Sequence, residues 1–287
     1  MDHLPALILA GHLFTEEGSK ARRWLLYILA RYAEMPFLKA SWSSIYGKWS
    51  FLSTNPIWKK LWTNLITRPI SQWIDTGVPV PADRVMELIN AQESAIAVGP
   101  CRCRLAHHSC DHRMRTDIVI RTGTPAFLAA FPKDYEVIDK EEAKQIVAAC
   151  RDEGMFQMVF IHCSPDGAAN EYVICNCCLD GCIIYLLNKN FGQHGFELVP
   201  GPFIAEQNPG QCKGCGECLG LCPWDARSLD SNGKVILAAE RCLGCGLCAA
   251  ACKNEGVKMV PRKSYSIHMR SHWPLFEQFH EGNKSVE

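Results

Sequence analysis

Cysteine is absent from this 287-residue chain before residue 101 and after residue 252. A second scarcity is acid near the N-terminus: between Gly18 and Ile74 the only acidic residue is Glu34, against nine basic ones. No stretch reaches the roughly 18 uninterrupted apolar residues of a spanning helix. The apolar run Leu4–Phe14 follows Asp2 and His3 instead of a basic segment, which makes a poor secretory signal. Arg22-Arg23 before Trp24-Leu25-Leu26 resembles a twin-arginine export signal. The run stops at Arg31 without a small-residue cleavage site, so export is disfavoured. The formal net charge is zero, which argues against wholesale nucleic-acid binding. No G-x-G-x-x-G follows a strand pattern and no P-loop is present, which argues against a nucleotide-binding enzyme.

What is present is thiol. Seventeen cysteines lie between Cys101 and Cys252. The chain is too long and the number too odd for a small disulfide scaffold, so metal in a reducing compartment is the expectation. Eight of them form a repeat. Cys212-Lys-Gly-Cys215-Gly-Glu-Cys218-Leu-Gly-Leu-Cys222-Pro223 has the spacing C-x2-C-x2-C-x3-C-P, and Cys242, Cys245, Cys248 and Cys252 reproduce it thirty residues later. Three cysteines two residues apart can wrap a loop around three irons of a cube. Gly214, Gly216, Gly244 and Gly246 would let that loop turn tightly and aim N–H groups at sulfur.

On these residues, the segment from about Phe203 to Arg262 resembles a bacterial-type ferredoxin domain carrying two [4Fe–4S] clusters. In that family the fourth cysteine of each motif ligates the other cluster. The resemblance therefore implies one cluster on Cys212, Cys215, Cys218 and Cys252, and another on Cys242, Cys245, Cys248 and Cys222. Lys253 stands where the family has proline. A cation there, with Lys213, is expected to favour the reduced cluster. Asp230-Ser-Asn232-Gly233 reads as a turn between two short strands.

Nine cysteines remain: Cys101, Cys103, Cys110, Cys150, Cys163, Cys175, Cys177, Cys178 and Cys182. Cys101 and Cys103 follow Gly99-Pro100 at a strand end, with Cys110 set among His107, His108 and His112. The reading favoured here is a third [4Fe–4S] cluster held by Cys101, Cys103 and Cys110 with one or more of Cys177, Cys178 and Cys182. Arg102 and Arg104 would favour its thiolates. Zinc is the alternative, since mixed Cys and His suit tetrahedral coordination. A redox-active dithiol comes third, and Cys150 and Cys163 are expected in the core. The region resembles cysteine-rich modules upstream of ferredoxin domains in proteins of anaerobes.

The fold class expected is α+β: a helical, basic, tryptophan-rich region over 1–95, a cysteine-rich α/β module over 96–200, the ferredoxin-like two-cluster domain over 201–262, and a tail over 263–287. Asn55-Pro56 marks a helix start, with Ile57, Trp58, Leu61, Trp62, Leu65 and Ile66 on one face. Tryptophans in a core with lysines in water is the favoured reading of that face. Contact of residues 18–74 with a membrane surface or acidic partner is the rival. Asp139 with Glu142 forms a capping box before a helix ending near Gly154. The function expected is single-electron transfer with a redox protein partner, within a larger oxidoreductase complex. The expected setting is the cytoplasm of an anaerobe or facultative anaerobe, peripheral to the membrane where the N-terminal region docks. The alternatives are a reductase whose central module holds a catalytic cluster or flavin, and a non-catalytic adaptor.

Overall fold

The computed structural model describes residues 24, 27–67, 76–163, 169–192 and 198–263. The twin-arginine segment, the side chain of Cys163 and nearly all of the C-terminal tail lie outside them.

Period-two runs of β-branched and aromatic residues build one six-stranded antiparallel sheet. Its strands are β1 (Thr76–Val80), β2 (Ile96–Pro100), β3 (Arg115–Val119), β4 (Glu136–Ile138), β5 (Phe156–Cys163) and β6 (Ala169–Cys177), in the order β1-β5-β6-β3-β2-β4. The boundary expected at residue 95 is therefore moved. Thr76–Val80 pairs with β5, and the helix after Pro81 packs under the same sheet, so both belong to the central module.

Alternation along the strands makes two cores. On one face Val78, Val98, Ile118, Val159 and Ile174 meet α4 (Ala82–Asn90), through Val85, Leu88 and Ile89, and α7 (Lys140–Asp152), through Ala143, Ile146, Val147 and Cys150. Half of the expected capping box forms: the Glu142 N–H donates to Asp139 Oδ1 at 2.8 Å, while the Glu142 carboxylate pairs with Arg115. On the other face Ala97, Val119, Phe156, Met158 and Val173 meet α6 (Gly123–Ala130), α8 (Ile183–Phe191) and α1 (Glu34–Ile45). The result is a helix–sheet–helix sandwich.

The N-terminal helices continue with α2 (Phe51–Thr54) and α3 (Pro56–Trp62), the latter capped by Asn55 Oδ1, which accepts from the Ile57 and Trp58 N–H groups. A π-helical turn, Thr63–Thr67, follows. The apolar stripe here does not reach a core, contrary to the favoured expectation. Ile57 is 71% exposed, Trp58 50% and Leu65 68%, and Leu61 and Ile66 are also open; only Trp62 packs against the buried cluster. The sandwich is already closed by α1, so α3 has no remaining face to cover.

The last unit pairs β7 (Phe203–Gln207) with β10 (Val257–Pro261), and β8 (Arg227–Leu229) with β9 (Val235–Leu237). Asp230 Oδ1 shapes the β8–β9 turn by accepting from the N–H groups of Asn232 and Lys234. Two one-turn helices, α9 (Glu217–Gly220) and α10 (Leu247–Ala250), follow the cysteine loops. This unit is seated on the sandwich: Tyr185 Oη donates to the Pro223 carbonyl at 2.7 Å, the Gly201 N–H donates to the Leu243 carbonyl at 2.8 Å, and Arg84 lies over the Phe203 ring.

Candidate metal centres

The cysteine loops of the last unit turn on glycines. Gly244 has φ of 88°, and a Cβ there would lie 2.2 Å from the Phe203 carbonyl oxygen, so both backbone angle and space demand glycine. Beyond that turn, Cys222, Cys242, Cys245 and Cys248 line one small cavity. Cys222 comes from the first motif and the other three from the second. On the other side Gly256, four residues after Cys252, packs against the Cys212 backbone, and its N–H donates to Cys252 Sγ at 3.2 Å. Ala226, four residues after Cys222, donates to Cys222 Sγ at the same distance. The repeat in sequence is a repeat in hydrogen bonding.

Three buried donors test whether these residues fit an iron–sulfur cluster. Trp224 lines the cavity with its Nε1–H unpartnered. Arg227 is buried, gives Nη1 to Gln207 Oε1 at 2.8 Å and to Cys218 Sγ at 3.9 Å, and also interacts with the Cys248 thiol. Its Nε and Nη2 have no partner. Orphaned donors of this kind cost about 1–3 kcal/mol each, and cluster sulfides are the acceptors that would relieve them. Burial pushes the Cys245 thiol well up. It also raises Cys218 and Cys248, against the pull of Arg227. Metal coordination offsets that cost of forming thiolate. The residues fit.

The two halves differ in exposure. Cys245 is buried in the core shared with the sandwich and Cys242 and Cys248 in the unit's own small core, whereas Cys215 is exposed and Cys212, Cys218 and Cys252 are half-buried. Lys213 and Lys253 are exposed.

The family model for the 4Fe-4S dicluster domain matches residues 204–253. Residues 204–253 are a 4Fe-4S dicluster domain. A ferredoxin of Pyrobaculum islandicum is 31% identical over 65 residues, 23% of this chain and 61% of its own. The polyferredoxin-like subunit of an aliphatic sulfonate oxidoreductase from Pyrococcus furiosus is 37% identical over 75 residues, 25% of this chain and 40% of its own. One subunit of a Na(+)-translocating ferredoxin:NAD(+) oxidoreductase complex from Acetobacterium woodii is 36% identical over 50 residues, 17% of this chain and 15% of its own. The chain thus spans between 15% and 61% of these relatives. No solved structure matches.

Upstream of the dicluster domain, the central cysteines gather where two helices begin. Cys101 caps α5 (Arg102–His107), and Cys182 caps α8. The Cys103 thiol contacts those of Cys101 and Cys182, Cys182 contacts Cys177, and Cys177 contacts Cys175. Burial raises the Cys182 thiol, but hydrogen bonds from Cys103 and Cys177 outweigh it and bring it below the ordinary thiol range. Cys110 stands apart with Cys178, Sγ to Sγ 3.9 Å, and Asp180. The six residues expected to make one site therefore divide into two neighbouring groups. The reason is the pleat: Cys175 and Cys177 point to the face covered by α8, and Cys178, next along the chain, points to the other. The period-two spacing of Cys175 and Cys177 is a signal in the sequence, although the end of the strand at Cys177 is not. The part played by Asp180 carries no such signal. Cys150 is a fully buried core residue, as expected.

The surroundings are polar and buried. Arg102 Nε donates to Glu34 Oε2 at 2.8 Å and lies 4.0 Å over the Phe131 ring. Burial pushes the Glu34 carboxyl up to about 7 despite Arg102 beside it. Asp117 accepts from Tyr135 Oη and from the Cys175 thiol, and burial raises its carboxyl in turn. Arg104 is almost wholly enclosed and gives hydrogen bonds to the Arg113 and Asn176 carbonyls and Thr116 Oγ1. Trp42 of α1 stacks on His107 at 3.9 Å and 14°. Glu34 and Trp42 thus seal the thiols from the N-terminal side, a role no sequence motif signals.

Between the thiol groups and the buried half of the dicluster domain lies a packed aromatic wall. Trp224 sits 5.4 Å from Phe156 and 6.2 Å from Tyr185, ring centre to ring centre. Phe156 is the register partner of Cys177, and Tyr185 lies in the first turn of α8 after Cys182.

Proposed function

We propose that this protein is an iron–sulfur electron carrier in which the dicluster domain exchanges single electrons with a redox partner and the central thiols hold a third centre at the inner end of the same path. The single observation that carries the reading is the Trp224–Phe156–Tyr185 wall, which joins the buried cysteines of the dicluster domain to Cys177 and Cys182 through packed side chains. The proposed ligands are Cys212, Cys215, Cys218 and Cys252 for one [4Fe–4S] cluster, and Cys242, Cys245, Cys248 and Cys222 for the other. Bound there, the clusters supply reversible one-electron storage. The chain's own residues do the rest. The open edge at Cys215 admits a partner, Arg227 balances negative charge between the two halves, and the aromatic wall excludes water.

For the third centre, Cys101, Cys103, Cys177 and Cys182 are the proposed ligands, with iron–sulfur as the content. A second reading is a single tetrathiolate zinc, since four thiolates also suit that ion; the thiols run pairwise from Cys101 through Cys103 and Cys182 to Cys177, so zinc would have to draw them together.

A complex is proposed on two grounds. Two of the relatives carry the names of oxidoreductase subunits. The open face of Ile57, Trp58, Leu61, Leu65 and Ile66, flanked by Lys48 and Lys60, also needs a cover. No helix among the described residues is long and apolar enough to cross a membrane, so contact there would be peripheral. The deciding experiment is iron, acid-labile sulfide and zinc per chain on anaerobically purified protein. About twelve irons with matching sulfide support three clusters, about eight with zinc retained in a Cys110→Ser variant support the tetrathiolate reading, and fewer than about eight refute the relay.

A further inference from the structure

Cys110 and Cys178 lie on the opposite side of the strand pleat from Cys177, and their surroundings are different in kind. Their sulfurs are 3.9 Å apart. Two thiolates on one tetrahedral zinc, each at about 2.3 Å, stand about 3.8 Å apart. One sulfur from each cysteine and a carboxylate oxygen of Asp180 all lie within 4.8 Å of one another. His112 Nε2 is 3.5 Å from Asp180 Oδ1, just outside that set, and a small turn of its side chain would bring in the fourth donor. We propose that Cys110, Cys178, Asp180 and His112 form a mononuclear zinc site, separate from the centre on Cys101, Cys103, Cys177 and Cys182.

Two further features point to a built site. The first is Gly181. A Cβ there would come within 2.8 Å of Cys110 Sγ, 3.2 Å of Cys178 Sγ and 3.1 Å of the His107 ring. A side chain at Gly181 would crowd both sulfurs and push them from these positions. The second is Arg104, an enclosed cation close enough to interact electrostatically with both sulfurs. The donor set is two soft sulfurs, one imidazole and one carboxylate. That is a set for a borderline divalent ion, and it lacks the four thiolates that hold an iron–sulfur cube in the dicluster domain. Asp180 is exposed, so the site can load from solvent. Zinc here would tie the loop after α5 to the turn before α8, and thereby hold Cys101, Cys103 and Cys182 at the starts of those helices.

The inference stands independently of the relay, and one set of variants separates the two. In anaerobically purified full-length protein, about one zinc per chain is expected. Cys110→Ser and Cys178→Ser should each lose it with iron and sulfide unchanged, and Cys182→Ser should keep it. Iron lost with Cys110→Ser would overturn the proposal by assigning that thiol to a cluster. So would wild-type protein that binds no added Zn(II), or that shows Cys110 and Cys178 joined as a disulfide. If the serine variants fail to fold, Co(II) supplied to the wild-type chain and to Asp180→Asn provides the reading. Intense sulfur-to-cobalt absorption with tetrahedral visible bands supports the site, with weaker or shifted bands in Asp180→Asn. No such bands in the wild-type chain overturns it.

Discussion

The two cysteine-bearing regions solve the same problem in opposite ways. In the dicluster domain the thiols come from a sequence repeat, and they are held apart around a cavity by glycine turns and by N–H groups four residues on. In the central module they come from separate strand ends and helix starts, neighbour one another in pairs, and are set among buried Arg102, Arg104 and Asp117 and half-buried Glu34. Spacing within a loop is enough to organise the first. The second exists only once β2, β6, α5, α8 and α1 have assembled.

The sharpest way to break the comparison is within the dicluster domain itself. Cys245→Ser and Cys215→Ser each remove one proposed ligand, and each should cost about four irons per chain. The stability penalties should differ. Cys245 is buried in the core shared with Leu243, Leu247 and the sandwich, so its loss should lower Tm by many degrees. Cys215 is exposed, and its loss should leave the sandwich melting nearly unchanged. Equal melting shifts, measured by circular dichroism under argon, would mean that the domain is not seated on the sandwich as described.

That contrast also explains what is legible in advance. The two cysteine loops, the β8–β9 turn at Asp230–Gly233, the Asn55 and Asp139 caps and the helix after Pro81 are local, and short spacing reveals them. The division of the central thiols needs the direction of Cys178 relative to Cys177, and hence knowledge that β6 runs through Cys177 before turning. The role of Glu34 depends on a salt bridge to Arg102 across 68 residues. The apolar face of α3 lies open where a core was expected, because amphipathic periodicity says that a face is apolar, not what covers it.

Glu34 provides the next test, and it concerns the central module alone. Its folded pKa of about 7 lies above the ordinary 4.5. A raised acid contributes stability that is full below its unfolded pKa and is lost as pH rises through the folded one. Stability should therefore fall between about pH 5 and 7, by at most about 1.4 kcal/mol per pH unit. Glu34→Gln should flatten that slope while leaving the iron content unchanged. A slope unaltered by the substitution, in melts of both proteins across that range, would place the pH sensitivity elsewhere.

Arg227 tests the link between the two halves of the dicluster domain. It touches Cys218 from one proposed ligand set and Cys248 from the other. Arg227→Met removes a buried cation from both, so both potentials should fall together, by roughly tens of millivolts. A shift confined to one potential in protein-film voltammetry would show that the guanidinium serves a single half.

Lys253 should matter least. Standing in the place of the family's proline, it is expected to raise the nearby potential, along with Lys213. Both side chains are exposed, so water and salt screen their charge. Lys253→Gln should lower one potential by no more than roughly 20 mV in dilute buffer, and the difference should largely vanish at about 0.5 M salt, where the Debye length is only a few ångströms. Arg227, enclosed beyond the reach of ions, should keep its effect at the same salt. The pair of salt titrations therefore separates a charge that acts through protein from one that acts through solvent. A Lys253 effect that persisted in high salt would mean that the lysine turns inward over Cys252.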